Sequence, residues 1–141
     1  MRKLAVSLML LLFALATVAI HAGVGIAGTI QVNLPFAFTV SNKNFPAGNY
    51  KFEQPTGARS MSVRSVDGKV GEIFNTSPMQ VKSLDTKASY LTFHRYGEKY
   101  FLQFLYIGRV GYEFPPSHAE KEMQQGGTEP VVVNVRVREN R

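Results

Sequence analysis

Cysteine is absent from all 141 residues, which excludes disulfides, thiolate nucleophiles, cysteine-based zinc sites and lipid attachment at a leader cysteine. The fold must therefore be held by its core. Tryptophan is absent as well, and the apolar bulk comes from aliphatics, ten Phe and six Tyr. Histidine is scarce, with three in the chain, of which only His94 and His118 lie outside the amino-terminal apolar run. A metal centre would need them to converge with carboxylates such as Glu120 or Glu122, and two ligands do not make a site. No Gly-x-Ser-x-Gly elbow occurs, so no Ser-His-acid triad is assigned. Glu53, Glu72 and Glu113 cannot be paired as glycosidase carboxylates without a fold. No catalytic residue, metal or cofactor is expected.

A dense basic tract is also missing. Setting aside Arg2 and Lys3 of the leader leaves 14 cationic against 10 acidic residues, a net charge of +4. Lys43, Lys51, Arg59, Arg64, Lys69, Lys82 and Lys87 stand singly along the chain. Nucleic-acid binders gather such residues into a stripe or patch; the dispersed pattern reads as a solvated surface, with no nucleic-acid partner expected.

What is present begins with Met1-Arg2-Lys3, followed by an uncharged apolar run from Leu4 to Ile20 and then small residues at Ala22, Gly23, Gly25, Ala27 and Gly28. This is the pattern of a cleavable secretory signal peptide over residues 1–22, with cleavage after Ala22 or, as second choice, after Ala27. Membrane contact is expected only through this leader, and the mature protein is expected in the periplasm, on the outer surface or outside the cell.

The rest alternates with a period of two, the signature of strands with one buried face. Ile30, Val32, Leu34, Phe36, Phe38 and Val40 share one side of a long strand, with Pro35 on the other side indicating an edge or a bulge. Tyr50 and Phe52 face inward from the next strand. Two runs flank Asp67-Gly68 as a hairpin whose register is open: a two-residue loop sets Val63 opposite Glu72, and a bulged three-residue loop sets it opposite Ile73, which burial favours. Ser77 to Thr86 reads as a loop. Gly97-Glu98 between two long apolar runs predicts a type II′ hairpin, because Gly takes the positive φ that turn needs. Pairing about it sets Phe93 opposite Leu102 and Leu91 opposite Phe104 as one core face. The second strand, apolar on both sides, is either covered twice or carries an aromatic outer face open to contact. Gly108 to Pro116 reads as irregular. Ser117 to Gln125 reads as a short helix capped by Ser117, with Glu120 three residues on, too weakly amphipathic to dock strongly. Val131 to Arg138 reads as a last strand, an edge guarded by arginines.

The fold class is thus all-β: one small sandwich or barrel of about seven or eight mainly antiparallel strands. Its parts are a β domain over 28–116, a polar helix and linker over 117–130, and a carboxy-terminal strand over 131–138 that can complete it. The expected core is Val32, Leu34, Phe36, Phe38, Val40, Tyr50, Phe52, Leu91, Phe93, Leu102 and Phe104. The leader, with Val32-Asn33-Leu34-Pro35-Phe36-Ala37-Phe38-Thr39-Val40, Phe45-Pro46-Ala47-Gly48-Asn49-Tyr50, Thr92-Phe93-His94-Arg95-Tyr96-Gly97 and Gly111-Tyr112-Glu113-Phe114-Pro115, resembles a group of small exported bacterial proteins of unknown function. That resemblance implies a compact β domain outside the cytoplasm and transfers no activity or catalytic residue.

Candidate contact residues are His94, Arg95, Tyr96, Tyr100 and Tyr106 on the Gly97 hairpin, where rings and a cation could receive a sugar or a peptide. The competing account is plain cross-strand stabilisation. Three functions follow: a non-enzymatic module that binds a protein or the cell envelope, a small barrel holding an apolar ligand among its Phe side chains, and a hydrolase built near His94.

Overall fold

The computed structural model describes residues 29–55, 59–81 and 88–140. The leader and both cleavage points lie outside them, as do residues 82–86 of the expected 77–86 loop. Among the described residues eleven strands and one helix follow in order: β1 (Thr29–Leu34), β2 (Phe38–Val40), β3 (Lys43–Phe45), β4 (Gly48–Glu53), β5 (Ser60–Ser65), β6 (Gly71–Asn75), β7 (Ser77–Gln80), β8 (Ser89–Tyr96), β9 (Lys99–Ile107), β10 (Val110–Glu113), α1 (His118–Gln125) and β11 (Val131–Asn140). The class is all-β, and every strand pair is antiparallel except β2 with β9.

The alternation that begins at Ile30 is not one strand. Ile30, Val32 and Leu34 are buried between exposed Gln31 and Asn33, but Pro35 has no N–H to give a ladder, and the chain leaves the sheet there. It re-enters as β2, against β9 on one side and β3 on the other. Pro35 thus marks a break between two strands, and β1 itself is central, flanked by β4 and β11. Phe36 sits in the break, half-buried outside the core proper, its ring stacked on Tyr100 at 3.9 Å.

The Gly97 hairpin forms with φ of 61° at Gly97 and no positive φ at Glu98, the type II′ pattern. Phe93 pairs with Leu102 as expected, and then the register shifts between Thr92 and Phe93. Gln103 is the extra residue of this bulge. Leu91 meets Leu105 instead of Phe104, so Leu105 is fully buried and Phe104 turns to the outer face, half-buried. Bulges reverse side-chain facing in this way. The β5–β6 hairpin goes the other way: Val63 pairs with Glu72, the unbulged register, and Ile73 is 60% exposed. Its turn explains why. Gly68 takes a φ of 75°, Ser65 Oγ–H donates to Asp67 at 2.6 Å, and the Lys69 N–H donates to the same carboxylate. These bonds hold the Asp67 carboxyl below its ordinary pKa, with the Ser65 hydroxyl the largest cause.

Two segments read as irregular are strands. β7 pairs with β10, and β10 with the second half of β9. Only Thr76 separates β6 from β7. The Thr76 N–H bonds Arg59 O while the Val81 N–H bonds Arg109 O, so the even and odd residues of this strand serve opposite neighbours. The sheet therefore curls back to β9 as a barrel-like body. β3 and β6 lie along a seam where the Phe45 and Phe74 rings meet at 6.1 Å and Lys43 pairs with Glu72 at 3.2 Å. The last strand, β11, is no edge: it lies between β8 and β1. The interior is filled by Val63, Leu91, Phe93, Leu102, Leu105, Tyr50 and Phe52, none more than 1% exposed.

Candidate binding face

Helix α1 crosses the outside of the barrel. Ser117 caps it, its Oγ accepting the Glu120 N–H at 3.0 Å, and the chain is further tied by the His118 N–H donating to Asn42 at 3.0 Å. The face turned to the sheet is polar. Glu120, 1% exposed, takes the His94 Nδ1–H at 2.8 Å and the Tyr96 hydroxyl at 3.2 Å on one oxygen, and Gln103 Nε2 at 2.8 Å on the other. Gln124 in turn donates to the Tyr96 hydroxyl at 3.0 Å. Burial holds the Tyr96 phenol above its ordinary pKa, an effect the Gln124 bond opposes and the Glu120 charge reinforces.

His94 and Glu120 thus converge, as a metal or acid–base reading would require. Among the described residues no three His, Asp or Glu side chains gather as metal ligands do, and His94 is bonded through Nδ1 to the same Glu120 that holds the helix. Three donors converge on one carboxylate, and they fasten the helix. The sequence reading of a weakly docking helix missed this because apolar periodicity does not register a buried carboxylate.

Beyond the helix the outer face of β8, β9 and β10 carries a row of rings. Tyr90 and Tyr106 pair across the strands, stacked at 4.7 Å, and Phe104 lies 5.5 Å from Tyr106. Tyr106 rests over Gly111, where a Cβ would stand 2.8 Å from its ring, so the missing side chain lets the ring lie against the sheet. Burial, then Tyr90 and Glu113, raise the Tyr106 pKa. All three rings are half-buried, and Met79 beside them is 42% exposed.

The five contact residues expected from the sequence do not form one site. His94 and Tyr96 lie under α1. Arg95 and Tyr100 are cross-strand partners near the turn, with Tyr100 committed to Phe36. Tyr106 alone belongs to the ring row.

The strand registers also align charges that look scattered along the chain. On the same outer side Arg136 stands opposite Tyr90, and two residues further along β11 Arg138 stands opposite Gln31. Gln31 faces Lys51, and Lys51 faces Arg64. Arg64, Arg136 and Arg138 are exposed and Lys51 is half-buried. None of the four has an ion-pair partner among the described residues. Beside this row a groove of about 350 Å³ runs along Gln31, Asn33, Asn49 and Val66, with Asn33 donating to Asn49 at 2.8 Å. Only the pairing of β11 with β1, absent from any local pattern, reveals the row. No family model, curated protein or solved structure matches this chain.

Proposed function

We propose that this is an exported, non-enzymatic binding module of the cell envelope or its surroundings, which uses the outer face of the β8–β9 hairpin beyond α1. The ring row of Tyr90, Tyr106 and Phe104 carries the reading: three aromatic side chains share a solvent-facing side, where flat rings offer large contact area at small entropic cost. The filled interior favours this reading over a barrel that holds an apolar ligand, and the complete engagement of Glu120 by fastening bonds favours it over a hydrolase. Export rests on the leader pattern and on the resemblance to small exported bacterial proteins.

The test has two parts. Expression in a bacterium with an intact secretion system is expected to yield a chain beginning at Gly23 or Gly28, read by intact mass. Co-sedimentation with purified envelope fractions is then expected to be saturable, to fall strongly for Tyr90→Ala with Tyr106→Ala, and to survive Tyr106→Phe, which keeps the ring. A leader retained on cytosolic protein defeats the export reading. Binding that ignores the loss of both rings, in a variant that still melts cooperatively, defeats the choice of face.

A further inference from the structure

The cation row and the ring row are one band. From Tyr106 on β9 it runs through Tyr90 on β8, Arg136 and Arg138 on β11, Gln31 on β1, Lys51 on β4 and Arg64 on β5. With strands about 4.8 Å apart, these six strands give it a length of roughly 24 Å along the surface. Within the cross-strand row from Arg138 to Arg64 no carboxylate interrupts the cations. The nearest acid on β4, Glu53, accepts the Thr29 hydroxyl at 3.2 Å, and Glu113 lies past the other end, opposite Phe104.

We infer that this band binds an acidic polysaccharide, a glycan chain whose sugar rings carry carboxylates. The inference deepens the binding-module reading and rests on it. Guanidinium groups take carboxylates in two-pronged, charge-assisted pairs, and among the described residues no acid pairs with these cations. The amides of Gln31, Asn33 and Asn49, lining the adjacent groove, donate to and accept from hydroxyls. The half-buried rings of Tyr90, Tyr106 and Phe104 continue the band with aromatic surface on which a saturated ring can pack. A membrane site would set protruding apolar tips among its cations, whereas these rings lie half-buried along the sheet. Single-stranded nucleic acid would also use rings and cations, but the leader directs the chain away from it.

Titration calorimetry of the exported protein, purified after leader removal, with oligogalacturonate tests this, with a neutral glucan of equal length, a single-stranded DNA oligomer and phosphatidylglycerol vesicles alongside. Expected is oligogalacturonate binding that weakens as salt rises, no binding of the glucan, and a loss of about tenfold or more for Lys51→Gln, Arg64→Gln and Arg138→Gln combined. Those side chains reach solvent, so the variant is expected to melt as the parent does, and circular dichroism checks it. Unchanged affinity in that variant overturns the inference, as does tighter binding of DNA or vesicles. Failure to bind oligogalacturonate, with ring-dependent envelope binding intact, defeats the glycan assignment and leaves the module reading standing. Loss of both defeats both.

Discussion

A carboxylate taken out of water costs several kcal/mol unless hydrogen bonds and opposite charge replace its solvent. Glu120 is the one charged side chain among the buried described residues, and His94, Tyr96 and Gln103 replace its solvent with three donors from two strands. Removing the acceptor strands those donors at a covered interface. Glu120→Ala is therefore expected to lose about 2–4 kcal/mol in urea unfolding, more than an exposed acid would. Glu120→Gln keeps the shape and one acceptor oxygen, and Gln103 can turn its amide to meet the new one, so a smaller loss of about 1 kcal/mol is expected. Equal losses for the two would show that the site answers to side-chain volume and not to hydrogen bonding. A cycle pairing Glu120→Ala with His94→Ala should show coupling of about 0.5–3 kcal/mol, since the two share a bond.

At the scale of elements, the β8–β9 hairpin shows how far the sequence can be read. The Gly97 turn, the facing of His94 with Phe101 and of Phe93 with Leu102, and the Ser117 cap all depend on residues a few positions apart, and each is legible. The bulge at Gln103 is not, because Leu-Gln-Phe-Leu alternates equally well in two phases and only the pull of Glu120 on Gln103 and of Leu91 on Leu105 chooses between them. Pro78 and Gly111 disguised β7 and β10, since both residue types usually mark loops; here Pro78 opposes Tyr112 in a short ladder and Gly111 makes room for a ring. The placement of β11 at the sheet's centre, and with it the cation row, follows from pairing across some hundred positions, which no local signal encodes. The bulge makes a sharp prediction. Leu105→Ala, at a fully buried position, is expected to cost about 2–5 kcal/mol, and Phe104→Ala, half-exposed on the outer face, less than about 1.5 kcal/mol. Chemical denaturation of the two variants reads the register directly: the reverse order would mean that Phe104 points inward.

At the scale of the whole molecule, tyrosines tie the parts together and make stability sensitive to alkali. Tyr50 at the β3–β4 corner, bonded through its hydroxyl to Pro46 O, Tyr96 beneath the helix, Tyr106 on the ring row and Tyr112 on β10, bonded to Gln54, all have phenols raised above the ordinary value of 10.0, chiefly by burial. Each folded-state pKa lies above the unfolded one. Below pH 10 both states keep these protons and the contribution to stability is complete. As pH climbs past 10 the unfolded chain releases them first, so it binds fewer protons than the native state and stability falls with a slope set by that difference. Because the four residues lie on separate elements, the loss should appear as one cooperative transition and not as local fraying. The expected outcome is a melting temperature that is flat up to about pH 10 and drops steeply beyond it, with tyrosinate absorbance from these four rising together with the loss of circular dichroism. Tyr112→Phe should make the drop shallower. Tyrosinate that develops fully while the sheet signal persists would mean that these phenols meet solvent in the native protein, and the packing of the barrel ends and of the helix against the sheet would have to be redrawn.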